Sequence, residues 1–133
     1  MPVSTEDYVA ISDHLGRYCW AVDEGDEEGW IGLWTEDGVF TGVAPEPIVG
    51  REALRMIVRM NQATGQGKQR HMVANLVCDY RGDRDTVGAS YYNFVTNWAE
   101  GGRLAVMALS RVELIRSAGG WLIRRNDSTM MAG

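Results

Sequence analysis

Near the start of the chain, Tyr8, Ile11, Leu15, Tyr18, Cys19 and Val22 recur at helical spacing and fall on one side of a helix. Ser4 or Thr5 caps its start, Glu6 and Asp7 suit its first turn, and Gly25 after Asp23-Glu24 supplies a left-handed stop. Asp26 caps a short second helix carrying Trp30, Leu33 and Trp34. Thr35-Glu36-Asp37-Gly38 reads as a turn before a short strand from Val39 to Val43, which Pro45 and Pro47 interrupt as at a sheet edge. A third helix follows Gly50, with Ala53, Leu54, Ile57, Val58 and Met60 on its apolar side. Asn61 to Gln69 is polar, holds Gly65 and Gly67, and reads as a loop.

Beyond Gln69 the period changes from helical to alternating. Three long strands are predicted at about 70–80, 86–98 and 103–116, and a fourth at about 121–130. Gly82, Gly101-Gly102 and Gly119-Gly120 mark hairpin turns between them. Alternation puts His71, Val73, Asn75 and Val77 on one face, opposite Met72, Ala74, Leu76 and Cys78. It likewise sets Tyr92, Phe94, Thr96 and Trp98 against Tyr91, Asn93, Val95 and Asn97, and groups Trp121, Ile123, Arg125 and Asp127.

Helices first and a long meander second predict an α+β fold, with N-terminal helices packed in a strongly curved, mainly antiparallel sheet. Such a sheet forms a cone with an internal pocket open at one end. At 133 residues the chain suits one domain, 1–133, large enough for a core plus that pocket.

Composition narrows the partners. The formal net charge of −5 argues against nucleic acid, which needs a basic face. No apolar stretch approaches about 18 residues, so no membrane span is expected. No basic segment leads into an apolar one at the N-terminus, and Cys19 and Cys78 lack a disulfide framework. Both observations point to reduced thiols and a cytoplasmic location.

Searches for catalytic motifs are mostly negative. There is no Gly-x-Ser-x-Gly, phosphate-binding loop or dinucleotide fingerprint. Two scattered histidines and two scattered cysteines do not make a metal site, and the acidic run from Asp23 to Glu28 lacks the spacing of a calcium loop. What remains is an Asp–His pair. A carboxylate holds an imidazole in one tautomer and stabilises it once protonated, which makes a general base. If Asp23 and His71 meet in a pocket, a small cofactor-free enzyme is expected. If they do not, the chain is an α+β domain of unstated purpose.

The order of elements, the first-helix Tyr18-x-x-x-x-Asp23 and the strand-leading His71 resemble the SnoaL-like group of the nuclear transport factor 2 superfamily. Trp34-Thr35-Glu36-Asp37-Gly38-Val39-Phe40, Gly50-Arg51-Glu52-Ala53 and the late Gly-Gly-Trp-Leu-Ile agree with it. Within that superfamily the pair bears its nearest catalytic resemblance to bile-acid dehydratase, scytalone dehydratase and hexachlorocyclohexane dehydrochlorinase, which eliminate water or HCl without a cofactor. The resemblance implies a dehydratase-like lyase acting on a small apolar, ring-containing molecule. In it His71 would be the base, Asp23 its orienting partner and Tyr18 the donor to substrate oxygen. An isomerase or polyketide cyclase with the same pair is the nearest rival. A noncatalytic binding protein, or a partner resembling a dioxygenase small subunit, is the third reading.

One obstacle is geometric: five helical residues at about 100° each leave Tyr18 and Asp23 about 140° apart. Trp20, Phe40, Met72 and Asn75 are expected to contact substrate, as is Arg125 if it reaches the pocket. No metal or cofactor is expected. A homo-oligomer, dimer or trimer, is.

Overall fold

The computed structural model describes residues 1–132. Helix α1, Thr5–Glu24, starts where the Ser4 hydroxyl accepts the Asp7 N–H at 3.1 Å and ends at Gly25 with φ 74°. Ile11, Leu15, Tyr18 and Val22 form its buried stripe. After a five-residue α2, Glu27–Ile31, come β1, Trp34–Thr41, and a two-residue β2, Ile48–Val49. Helix α3, Arg51–Gly65, precedes four long strands: β3, Gln69–Arg81; β4, Asp83–Asn97; β5, Arg103–Ser117; and β6, Gly120–Ala132. The sheet order is β2-β1-β6-β5-β4-β3, and among the described residues only β1 and β6 pair in parallel. Three helices packed on one face of this curved sheet give the expected α+β cone.

Differences from the sequence-based expectation have tertiary causes. Trp34 begins a strand instead of ending a helix. The Leu33 carbonyl accepts from the Ile123 N–H at 2.9 Å and lies 3.0 Å from His14 Nε2, so the chain is drawn onto the sheet after Gly32. Helix α3 runs through Asn61 and Gln62, because these polar side chains are not solvated. They bond to the end of α1. The helical propensity of the segment is thus reinforced by buried partners.

Two β-bulges reverse the expected strand faces. In β3 the register slips by one between Ala74 and Val77, and Asn75 takes the left-handed φ of 58°. Residues after it exchange faces, so Leu76, Cys78 and Tyr80 turn inward while Asn75 and Val77 turn out. In β6 the slip lies between Ile123 and Arg125 and leaves Arg124 as the extra residue. Asn126 therefore points inward, 2% exposed, in place of Arg125.

The core is an aromatic chain on which the helices sit. Tyr18 and Trp30 have ring centroids 5.3 Å apart, Trp30 and Trp34 5.4 Å, and Trp34 and Phe40 6.1 Å, all tilted.

Candidate active site

The concave side of the sheet encloses a cavity of about 410 Å³. Its apolar lining includes Trp30, Phe40, Ile57, Met60, Val95 and Val106, and its polar groups include Tyr18, His71, Asn93, Asn126 and Ser128. A few convergent polar groups in an apolar pocket are the ordinary make-up of a small-molecule site.

His71 and Asp23 meet at the cavity wall. The Asp23 carboxylate accepts the His71 backbone N–H at 2.9 Å through Oδ2 and faces Nδ1 at 2.6 Å through Oδ1. Asp23 is 7% exposed, and its carboxylate lies in the last turn of α1, against the helix dipole. That placement costs about 0.3–1 kcal/mol. Two charge-assisted hydrogen bonds, each worth about 1.5–3 kcal/mol, more than offset it. With Asp23 an acceptor, a neutral imidazole at this position carries its ring proton on Nδ1 and leaves the lone pair on Nε2. Nε2 has no protein partner among the described residues, and the ring lines the cavity.

Tyr18 lies deep in the same cavity, 5% exposed, and its hydroxyl accepts from Asn126 Nδ2 at 3.1 Å. Burial pushes the phenol well above its ordinary pKa, so it stays protonated with its own proton left to give. The angular obstacle between Tyr18 and Asp23 dissolves, because the two do not share a wall. Tyr18 faces the cavity, whereas Asp23 lines a groove of about 620 Å³ on the far side of α1 and reaches His71 from behind. His71 lines both spaces.

Of the residues expected to contact substrate, only Phe40 lines the cavity. Trp20 is 70% exposed and belongs to the outer groove, since it lies off the buried stripe of α1. Met72 neighbours His71 on a strand and so points to the opposite face, into the outer groove. Asn75 is turned outward by the bulge it occupies and lines the same groove. Arg125 is exposed and paired to Asp127 at 2.9 Å, displaced from the inner face by the bulge at Arg124.

Asn93, Asn126 and Ser128 escaped the sequence reading. Arg124-Arg125 was the available signal: strict alternation would turn one of two successive charges into the core, and a bulge spares both. Among the described residues no group of three or more His, Cys, Asp or Glu could hold a metal, and no helix is long and apolar enough to cross a membrane.

The comparisons agree with the fold. No curated protein matches the chain. Among solved structures, Aln2 from a Streptomyces species is 22% identical with a TM-score of 0.89, covering 98% of this chain and 94% of its own. An NTF2-like protein with a cystatin-like fold from Novosphingobium aromaticivorans is 24% identical with a TM-score of 0.84, covering 96% and 84%. A Catenulispora acidiphila protein solved in complex with S-DNPA is 28% identical with a TM-score of 0.79, covering 96% and 95%. The SnoaL-like domain profile matches residues 3–127, and the chain belongs to that family.

Proposed function

We propose that this chain is a cofactor-free, dehydratase-like lyase acting on a small, mostly apolar, ring-containing molecule. The observation that carries the reading is the Asp23 carboxylate 2.6 Å from His71 Nδ1, with the imidazole on the wall of an apolar cavity. Nε2 removes a proton beside a carbonyl or leaving group, and Asp23 stabilises the imidazolium that results. Tyr18, held by Asn126, donates a hydrogen bond to the substrate oxygen; as the C–O bond breaks and the C–H electron pair forms the double bond, the imidazolium returns its proton to the departing hydroxide, which leaves as water. General-base catalysis of this kind is worth about 10²–10⁴-fold, and positioning in a water-poor cavity supplies more.

An isomerase or polyketide cyclase would share the same first step, so the test addresses proton removal itself. Cyclic carbonyl compounds that quench the cavity tryptophan are incubated with the protein in heavy water, and carbon-bound deuterium is followed by NMR. Exchange is expected with the intact chain and is expected to fall by about 10²-fold or more in His71→Gln. A compound that binds the cavity yet exchanges equally in both proteins would refute the enzymatic reading and leave a binding protein. That second reading draws on the S-DNPA complex of the Catenulispora acidiphila neighbour.

A homo-oligomer belongs to the same proposal. Met72, Phe94 and Met107 lie in register across β3, β4 and β5, beside Ala74, Tyr92 and Leu109, on the sheet's outer face. A second copy fits such a stripe, because an apolar patch is complementary to itself. A reducing, cytoplasmic setting suits two buried thiols that are free rather than bridged. The net charge of −5 favours a neutral ligand over nucleic acid.

A further inference from the structure

We infer that Gln62 is a positioning residue for the Asp23–His71 pair, an assignment that rests on the general-base reading and extends it to a residue outside the cavity. The problem that Gln62 solves is where Asp23 sits. The carboxylate belongs to the last turn of α1, where backbone carbonyls run out of helical partners and chain ends fray. Gly25 satisfies part of the demand: its N–H goes to Val22 O at 3.4 Å, and the Asp26 N–H goes to Ala21 O at 2.9 Å. The carbonyl of Asp23 itself is left over.

Gln62 closes that gap from α3. Its Nε2 donates to Asp23 O at 3.0 Å and to Val22 O at 3.1 Å, while Asn61 Nδ2 adds a second side-chain bond to Val22 O at 3.1 Å. The same residue governs the approach to His71. The Gln62 backbone carbonyl accepts the Gly67 N–H at 3.0 Å, in the turn that leads into β3. Its side chain is wedged between Gly25 and Gly67, both at positive φ, where an added Cβ would come within 3.3 Å of it. One glutamine thus holds the end of the helix that carries Asp23 and the turn before the strand that carries His71. A shift of either element moves the carboxylate away from Nδ1, and with the carboxylate goes the fixed tautomer.

The test needs no substrate. Nitrogen-15 NMR reports which imidazole nitrogen of His71 is protonated, and proton exchange reports how well the Nδ1–H is held. The folded wild-type chain should show a protonated Nδ1, an unprotonated Nε2 and a slowly exchanging Nδ1–H. Gln62→Met keeps the stem and removes the donors, so a mixed tautomer and at least about tenfold faster Nδ1–H exchange are expected. Gln62→Glu, which sets a carboxylate against the two carbonyls, should do the same. Gln62→Lys restores a donor of similar reach and should recover the wild-type signature.

A folded Gln62→Met protein with the wild-type tautomer and exchange rate overturns the positioning role while leaving the dyad standing. A wild-type chain whose neutral imidazole carries its proton on Nε2 overturns both. Loss of fold in both Gln62→Met and Gln62→Glu makes Gln62 an architectural residue and also overturns the assignment.

Discussion

Replacing Asp23 by Asn tests the dyad most directly, because the two side chains have nearly the same shape. The aspartate offers an oxygen to each of two donors, the backbone N–H of His71 at 2.9 Å and Nδ1 at 2.6 Å. Asparagine offers one oxygen and one NH₂. The backbone N–H cannot change, so it keeps the oxygen, and the NH₂ turns to Nδ1. The ring proton must then move to Nε2. Two charge-assisted bonds of about 1.5–3 kcal/mol become neutral bonds of about 0.5–1.5 kcal/mol, a loss of about 2–3 kcal/mol. Relief of the carboxylate at the helix C-terminus returns about 0.3–1 kcal/mol.

Asp23→Asn should therefore lose about 1–3 kcal/mol in urea unfolding, with an unchanged denaturant slope. Asp23→Ala, which leaves both donors unpaired in a site only 7% exposed, should lose more. The chemical consequence is larger than the structural one: a cavity-facing Nε2–H cannot accept a proton. Deuterium exchange into a bound cyclic carbonyl compound should fall by about 10²-fold or more in Asp23→Asn. An Asp23→Asn protein with Nε2 still unprotonated, or with undiminished exchange, would refute the assignment of Asp23 as the group that sets the tautomer.

Other consequences follow from the same structure. Burial depresses the pKa of His14, so the unfolded chain binds more protons than the native one below the ordinary histidine value of 6.5. Its contribution to stability is complete above that value and is lost as pH falls from there through the lowered folded-state pKa. Asp7 and Asp127, held down by Arg116 and Arg125, lose theirs only in the more acidic carboxylate range. Urea midpoints between about pH 7.5 and about pH 5.5 should fall more steeply for wild type than for His14→Gln, and equal slopes would contradict this. Asn126→Leu removes the donor to the Tyr18 hydroxyl and should cost about 1–3 kcal/mol in unfolding while weakening cavity ligands; unchanged affinity would deny Tyr18 a binding role. Met72→Lys combined with Tyr92→Lys should yield monomers by light scattering, and an intact oligomer would place the interface elsewhere.

Local periodicity carried the first helix and the four-strand meander, because α1 and the long strands bury one regular face each. The Asp–His pair was legible for a different reason: with so few histidines, chemistry of that kind had few places to be built. What failed did so wherever tertiary contacts outweigh the local pattern. Trp34 carries a helical-looking spacing, yet Leu33 is claimed by the backbone of Ile123, far along the chain. Asn61 and Gln62 look like loop residues because their polarity is visible, while their buried partners at the end of α1 are not.

The bulges matter most for function. A period-2 reading carries face assignments without error only until one residue is inserted, after which every assignment is inverted. His71 precedes the bulge in β3, so its inward placement survived. Asn75 and Arg125 lie at or beyond a bulge, so theirs did not. The inversion in β6 is also what supplies the cavity with Asn126, an uncharged donor 3.1 Å from the Tyr18 hydroxyl, where strict alternation would have put a guanidinium. An unpaired arginine beside a buried phenol would carry a heavy desolvation cost and would favour anionic ligands. The amide leaves the lining of the cavity without a charged group other than the His71–Asp23 pair, a setting that suits the neutral ligand proposed above.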